Sequence, residues 1–183
     1  MDLMKLLKAK SELLLAQKPR EVSAGEKIVA DLKIQFEAFL KDISKLDEFK
    51  NHNPLEGVKA LAGEVLLEDE YGVLGTSPYL YLRIPGRRGL LLEPGEDDTL
   101  ILSSATEARP IQRQWSGEVS SRVVFVRMPK PLASFKILEL DTVRDIATSQ
   151  TFLGTRFFES LLERLIVYLN DSSTLAHDNR QIP

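Results

Sequence analysis

Hydrophobic and polar residues alternate along this chain with two different periods, and the change from one to the other divides it. In the first 50 residues the apolar positions recur at helical spacing. Leu3, Leu6, Leu7, Leu13 and Leu14 fall on one helical face, with lysines on the other, and Pro19 stops the segment. Ser23, followed three residues later by Glu26, has the form of a capping box and predicts a second helix from about Ala24 to Lys50. Within it Leu32, Phe36, Phe39, Ile43 and Leu46 step by four, three, four and three, a heptad seam that Ile28 and Phe49 extend at either end. Asn51 to Pro54 closes the segment. The pattern predicts an αα-hairpin over residues 1–54. Its seam packs on its own domain, serves as an oligomerisation face, or does both.

From about Leu61 the period becomes that of strands. Gly63–Glu68, Tyr79–Ile84, Gly89–Glu93, Thr99–Ser103, Arg122–Met128 and Phe135–Leu140 are short runs rich in Val, Ile, Leu and Tyr, separated by Gly, Pro and Asp turns. Their spacing predicts an antiparallel meander, with Pro129 and Pro131 marking a break before the last run. After Asp141 the helical period returns, with Phe158, Leu161, Leu162, Leu165 and Leu169 in one stripe and Thr155 as its cap. The expected fold class is α+β: an N-terminal helical hairpin, a central antiparallel sheet of about five to six short strands, and a C-terminal helix. Residues 55–170 form the α+β domain, and the polar residues 171–183 read as a flexible tail.

Composition narrows the functional classes. The 183 residues carry a net charge of −3, with 28% charged and 43% hydrophobic residues, so the whole-chain field does not favour nucleic acid. The absence of cysteine removes disulfides, thiol catalysis and sulfur-ligated zinc. Lys5, Lys8 and Lys10 interrupt the apolar N-terminus, and no run approaches the roughly 18 apolar residues of a membrane span, so the expected location is cytoplasmic, without membrane contact. No Walker A, GxGxxG, GxSxG or HExxH pattern occurs. Of the two histidines, His52 sits where it complements a helix C-terminus and His177 lies in the tail. Neither suits catalysis, and no cofactor or metal is expected. The acidic clusters Glu64, Glu68, Asp69, Glu70 and Glu93, Glu96, Asp97, Asp98 allow a metal-dependent hydrolase or nuclease only weakly, because no Glu-x-Lys strand accompanies them.

Residue types enriched at binding surfaces are more informative. Residues 1–54 hold nine Lys and one Arg, whereas residues 55–150 hold three Lys and eight Arg. Arginine is the residue for planar, bidentate and stacked contacts. Alternation places Tyr79, Tyr81 and Arg83 on one strand face, opposite Leu80, Leu82 and Ile84. Arg113 and Trp115 share a face if their stretch is extended. Arg87 and Arg88 follow one Pro-Gly turn, and Glu96, Asp97 and Asp98 follow the next, at opposite rims of the sheet. They read as solvated turns or as the two halves of a head-to-tail contact. Tyr79, Tyr81, Arg83, Arg87, Arg88, Arg113 and Trp115 are therefore the candidate partner-binding residues. The functional expectation is a non-catalytic interaction or assembly protein, a homo-oligomer or one with a protein partner. The alternative is nucleic-acid binding through the same arginine and aromatic surface.

Overall fold

The computed structural model describes residues 3–5, 7–8, 23–69, 72–108, 124–139 and 142–171. Helices at the N- and C-terminal sides flank a central, open antiparallel sheet. Helix α1 spans Ala24–Ile43, and the Ser23 side chain accepts from the Glu26 amide at 3.2 Å, as the capping pattern predicts. The helix ends at Ile43 rather than near Lys50. The Ser44 hydroxyl donates to the Lys41 carbonyl at 2.7 Å, satisfying one of the last orphan acceptors. A 3₁₀ turn over Asp47–Phe49 then returns Phe49 to the core. The first arm of the expected hairpin falls almost wholly outside the described residues. Only residues 3–5 and 7–8 are described, and they are helical.

The sheet contains β1 (Lys59–Asp69), β2 (Gly72–Arg83), β3 (Gly89–Pro94), β4 (Thr99–Ala108), β5 (Val124–Arg127), β6 (Ala133–Glu139), β7 (Thr142–Asp145) and β8 (Thr151–Leu153). Strand order is β1-β2-β3-β4-β6-β7-β8, with β5 also paired to β4. This exceeds the five to six strands expected. Strands β7 and β8 are only four and three residues long and carry polar residues, too little for the alternation to register. Strand β2 begins well before Tyr79. Its first half pairs with β1 but lies beyond the three residues, Leu80 to Leu82, that pair with β3. An edge of this kind tolerates Pro78.

Strands β5 and β6 act as one interrupted strand along β4. Ala105 pairs with Arg127 and Leu102 with Ala133, so Ser103 and Ser104 face the five residues Met128–Leu132. Pro129 and Pro131 supply no amide hydrogen, and the flanking Met128 and Leu132 amides keep the connection by donating to Ser104 and Leu102 carbonyls at 2.8 Å each.

The main core lies between this sheet and the two helices. Leu80, Leu82, Leu90, Leu92, Leu100, Leu102 and Phe135 meet Val29, Leu32 and Phe36 of α1 and Phe157, Leu161 and Leu165 of α2 (Thr155–Asn170). Helix α2 starts at Thr155, with Gly154 in the cap position and no side-chain cap. The opposite face of the sheet has its own smaller core of Tyr79, Tyr81, Leu91, Ala105 and Phe125. No helix covers it. Instead the sheet curls until Phe125 of β5 lies 4.8 Å, ring to ring, from both Tyr79 and Tyr81 of β2. Two glycines make room. A Cβ on Gly89 would sit 2.5 Å from the Tyr81 ring, and one on Gly63 would sit 2.8 Å from the Tyr79 hydroxyl oxygen.

Candidate interaction groove

Helix α2 turns one stripe down and one flank sideways. Phe157, Leu161, Leu165 and Tyr168 are buried at helical spacing. Ser160, Glu163, Arg164, Val167 and, just past the end, Asp171 face a groove of about 420 Å³ beside the helix. Leu90 and Leu102 floor it. Leu132, from the Pro-rich connection, and Phe152, from β8, line it on the sheet side. The helix wall from Ser160 to Asp171 is about 16 Å long at 1.5 Å per residue.

The groove walls are held by three polar joints. Tyr168 donates its hydroxyl proton to the Arg88 carbonyl at 2.8 Å. That oxygen also lies 2.7 Å from Ser104 Oγ, so Ser104 is the donor in that second bond. Arg87 reaches the Tyr168 and Asp171 carbonyls at 3.4 Å each, placing a cation at the helix C-terminus, where the dipole favours it. Asp145, buried at the end of β7, pairs with Arg164, and its other oxygen accepts from the Ala147 and Thr148 amides at 2.9 and 3.2 Å. The Arg164 guanidinium also lies 5.4 Å from the centre of the Phe135 ring.

The groove is mixed in its chemistry: Leu90, Leu102, Leu132, Phe152 and Val167 give it an apolar surface, and Gln150, Ser160, Glu163 and Asp171 add polar groups. Arg164 and Tyr168 are committed to partners within the chain. Of the lining residues, Val167 is 69% exposed and Leu132 47%, and Val126 and Met128 are exposed in the stretch that precedes Leu132 in the chain. Glu163 is exposed on the helix wall, one turn after the exposed Glu159. Neither acid makes an ion pair with another described residue.

The candidate residues read from sequence are placed elsewhere. Tyr79 and Tyr81 lie in the second core, Tyr81 donating to the Ala105 carbonyl at 3.0 Å. Burial pushes both phenols above their ordinary pKa, and the charge of Glu107 adds to the effect. Arg83 makes a bidentate pair with Glu107, both contacts 2.8 Å. Arg127 makes the equivalent pair with Glu93. These hydrogen bonds hold both guanidinium groups above their usual range. Arg87 and Arg88 belong to the turn docked on the end of α2, so the basic rim is occupied within the chain. At the acidic rim, Asp97 and Asp98 adopt positive φ, and the Asp97 carbonyl accepts from Lys136. Arg113 and Trp115 lie outside the described residues. On the heptad seam, Leu32, Phe36 and Ile43 are buried in the main core, and Phe39 is half-buried against Phe158. Leu46 lies beyond the helix and is exposed.

The groove was missed in sequence because its lining comes from five separate stretches. The one legible sign was Val167, an apolar residue on the polar side of the α2 stripe. Among the described residues, no group of three or more His, Asp or Glu side chains could hold a metal ion. No described helix is long and apolar enough to cross a membrane. No family model, curated protein or solved structure matches the chain.

Proposed function

We propose that this chain is a non-catalytic interaction and assembly module whose docking site is the groove between α2 and the Pro-rich β5–β6 connection. The observation that carries this reading is the pair of exposed apolar residues Leu132 and Val167 on the walls of a groove floored by Leu90 and Leu102. Exposed apolar residues that share a cleft mark interaction sites, whereas scattered ones do not. The occupant is an amphipathic helix with a basic polar face. Pro129 and Pro131 deprive the sheet-side wall of two amide donors, so an incoming strand could not extend a ladder there. An apolar helix face docks through side chains alone and needs none. Glu163 on the wall and Glu159, one helical turn before it, supply the complementary charge. A cysteine-free sequence suits a reducing compartment, and we place this activity in the cytoplasm.

The test is a titration of the full chain with two designed helical peptides, one of Leu and Lys and one of Leu and Glu, followed by methyl chemical shifts. The Leu/Lys peptide is expected to move the Leu102, Leu132 and Val167 methyl signals and the Leu/Glu peptide to leave them in place. A Leu/Lys peptide that leaves these methyls unmoved refutes the docking site.

A further inference from the structure

We infer that the groove's occupant is the N-terminal helix of a second copy of this chain, exchanged reciprocally in a two-fold dimer. This inference rests on the helix-in-groove reading above and names its partner. The described residues of that N-terminal segment are helical, yet Leu3 is 69% exposed and Leu7 52% exposed. The two residues are four apart and share one face, while Lys5 and Lys8 point to the other side of the helix. The chain therefore presents Leu3 and Leu7 to solvent on one face of a helical stretch, together with a groove whose walls carry the exposed Leu132 and Val167.

Charge matches in the same sense. Lys5 and Lys8 would approach Glu163 on the groove wall and the exposed Glu159 four residues before it on α2. Covalent reach bounds the exchange, since the 14 residues 9–22 stand between the described helical residues and Ser23, and a stretch of that length spans between about 21 Å if wholly helical and about 50 Å if wholly extended. Reciprocal exchange closes the assembly, because each copy donates one helix and offers one groove, and the same contact forms twice across the axis. The heptad seam cannot serve this purpose, as Leu32, Phe36 and Ile43 are spent on the chain's own core.

The experiment is light scattering and analytical ultracentrifugation of the full chain over a wide concentration range, with two double variants. Leu3→Glu with Leu7→Glu removes the donated face. Leu132→Glu with Val167→Glu closes the groove. All four positions are solvent-exposed, so circular dichroism and thermal melts should match wild type and report folding separately from assembly. The wild type is expected to dimerise, and each variant alone to associate at least about tenfold more weakly, the loss typical of removing central apolar anchors. Mixing the two variants restores one intact contact, so a heterodimer should appear where neither variant self-associates. Lys5→Glu with Lys8→Glu should weaken the dimer, and Glu159→Lys with Glu163→Lys in the same chain should restore it.

A wild type that is monomeric throughout overturns the inference, as does a dimer indifferent to both double variants or a mixture that yields no heterodimer. If the monomer nevertheless binds the Leu/Lys peptide in the groove, the docking site stands and only the self-exchange fails.

Discussion

Removing one hydroxyl from Tyr168 should loosen the end of α2 from the sheet. Tyr168→Phe keeps the buried ring and deletes two hydrogen bonds, 2.8 Å to the Arg88 carbonyl and 2.7 Å from the Ser104 hydroxyl. Each such bond contributes about 0.5–1.5 kcal/mol net, and a buried partner left unsatisfied costs about 1–3 kcal/mol. Ser104 is nearly inaccessible, so its hydroxyl cannot turn to water. The expected loss is about 2–3 kcal/mol. In a domain of this size each kcal/mol moves Tm by about 2–4 °C, which gives a drop of about 5–10 °C. Ser104→Ala should cost less, about 1 kcal/mol, because Tyr168 keeps its bond to Arg88. The assay is urea unfolding followed by circular dichroism for wild type, both single variants and the double variant. The two substitutions share one hydrogen bond, so the double variant should fall short of additivity by about 1 kcal/mol. A Tyr168→Phe protein within about 0.5 kcal/mol of wild type would refute the joint. Strict additivity would show that the two hydroxyls do not communicate.

Three further outcomes follow from the geometry. Asp145→Ala should cost about 1–3 kcal/mol in the same unfolding assay by leaving the Ala147 and Thr148 amides without their acceptor, while Arg164, a third exposed, turns to water. Asp145→Asn, which keeps an acceptor for the Ala147 and Thr148 amides, should cost clearly less. Gly89→Ala should lower Tm or leave the protein insoluble, because the new methyl would press on the Leu82 carbonyl and the Tyr81 ring, whereas Gly86→Ala meets no neighbour and is opposed only by its positive φ. Tyr79 and Tyr81 should titrate later than an ordinary tyrosine. Their folded pKa values are raised by burial, so their contribution to stability is complete below about pH 10 and declines as pH rises through the folded values. Phenolate absorbance against pH tests this. The Tyr79→Phe, Tyr81→Phe double variant should lose the late phase, and its persistence would count against the second core.

Charge reversal at Arg87 bears on the basic turn. Arg87→Glu would set a carboxylate against the carbonyls of Tyr168 and Asp171 at the negative end of the α2 dipole. A lower Tm at unchanged oligomeric state is expected. Weaker association with an unchanged melt would instead support a head-to-tail contact.

Local physics was legible in the amino-acid order. The Ser23 cap, the apolar stripes of α1 and α2 and the alternation of Leu80, Leu82 and Ile84 each follow from neighbours within a turn or a strand. They gave the α+β class and the antiparallel sheet. The heptad spacing of Leu32, Phe36 and Ile43 correctly marked a face to be buried, but periodicity reports burial without naming what buries it. Here the chain's own sheet does so. Likewise Tyr79 and Tyr81 looked like a binding platform because residue type is the same for an exposed aromatic and a covered one. Only the curl of the sheet, which brings Phe125 of β5 over β2, decided between them.

Tertiary structure alone produced the groove and its joints. Ser104 and Tyr168 are 64 residues apart, Arg87 and Tyr168 are 81 apart, and no spacing rule links them. Strand β7 is stabilised by pairing with β6 and by the contact of its buried Asp145 with Arg164, and β8 by pairing with β7, not by their own propensity, so they left no periodic trace. The amino-acid order by itself determined which segments need a partner surface, because burying apolar area is a property of each helix and strand. Which surface they receive, and which remains open beside Val167 and Leu132, depends on packing all of them at once within close-packed volume, and that is settled only in three dimensions.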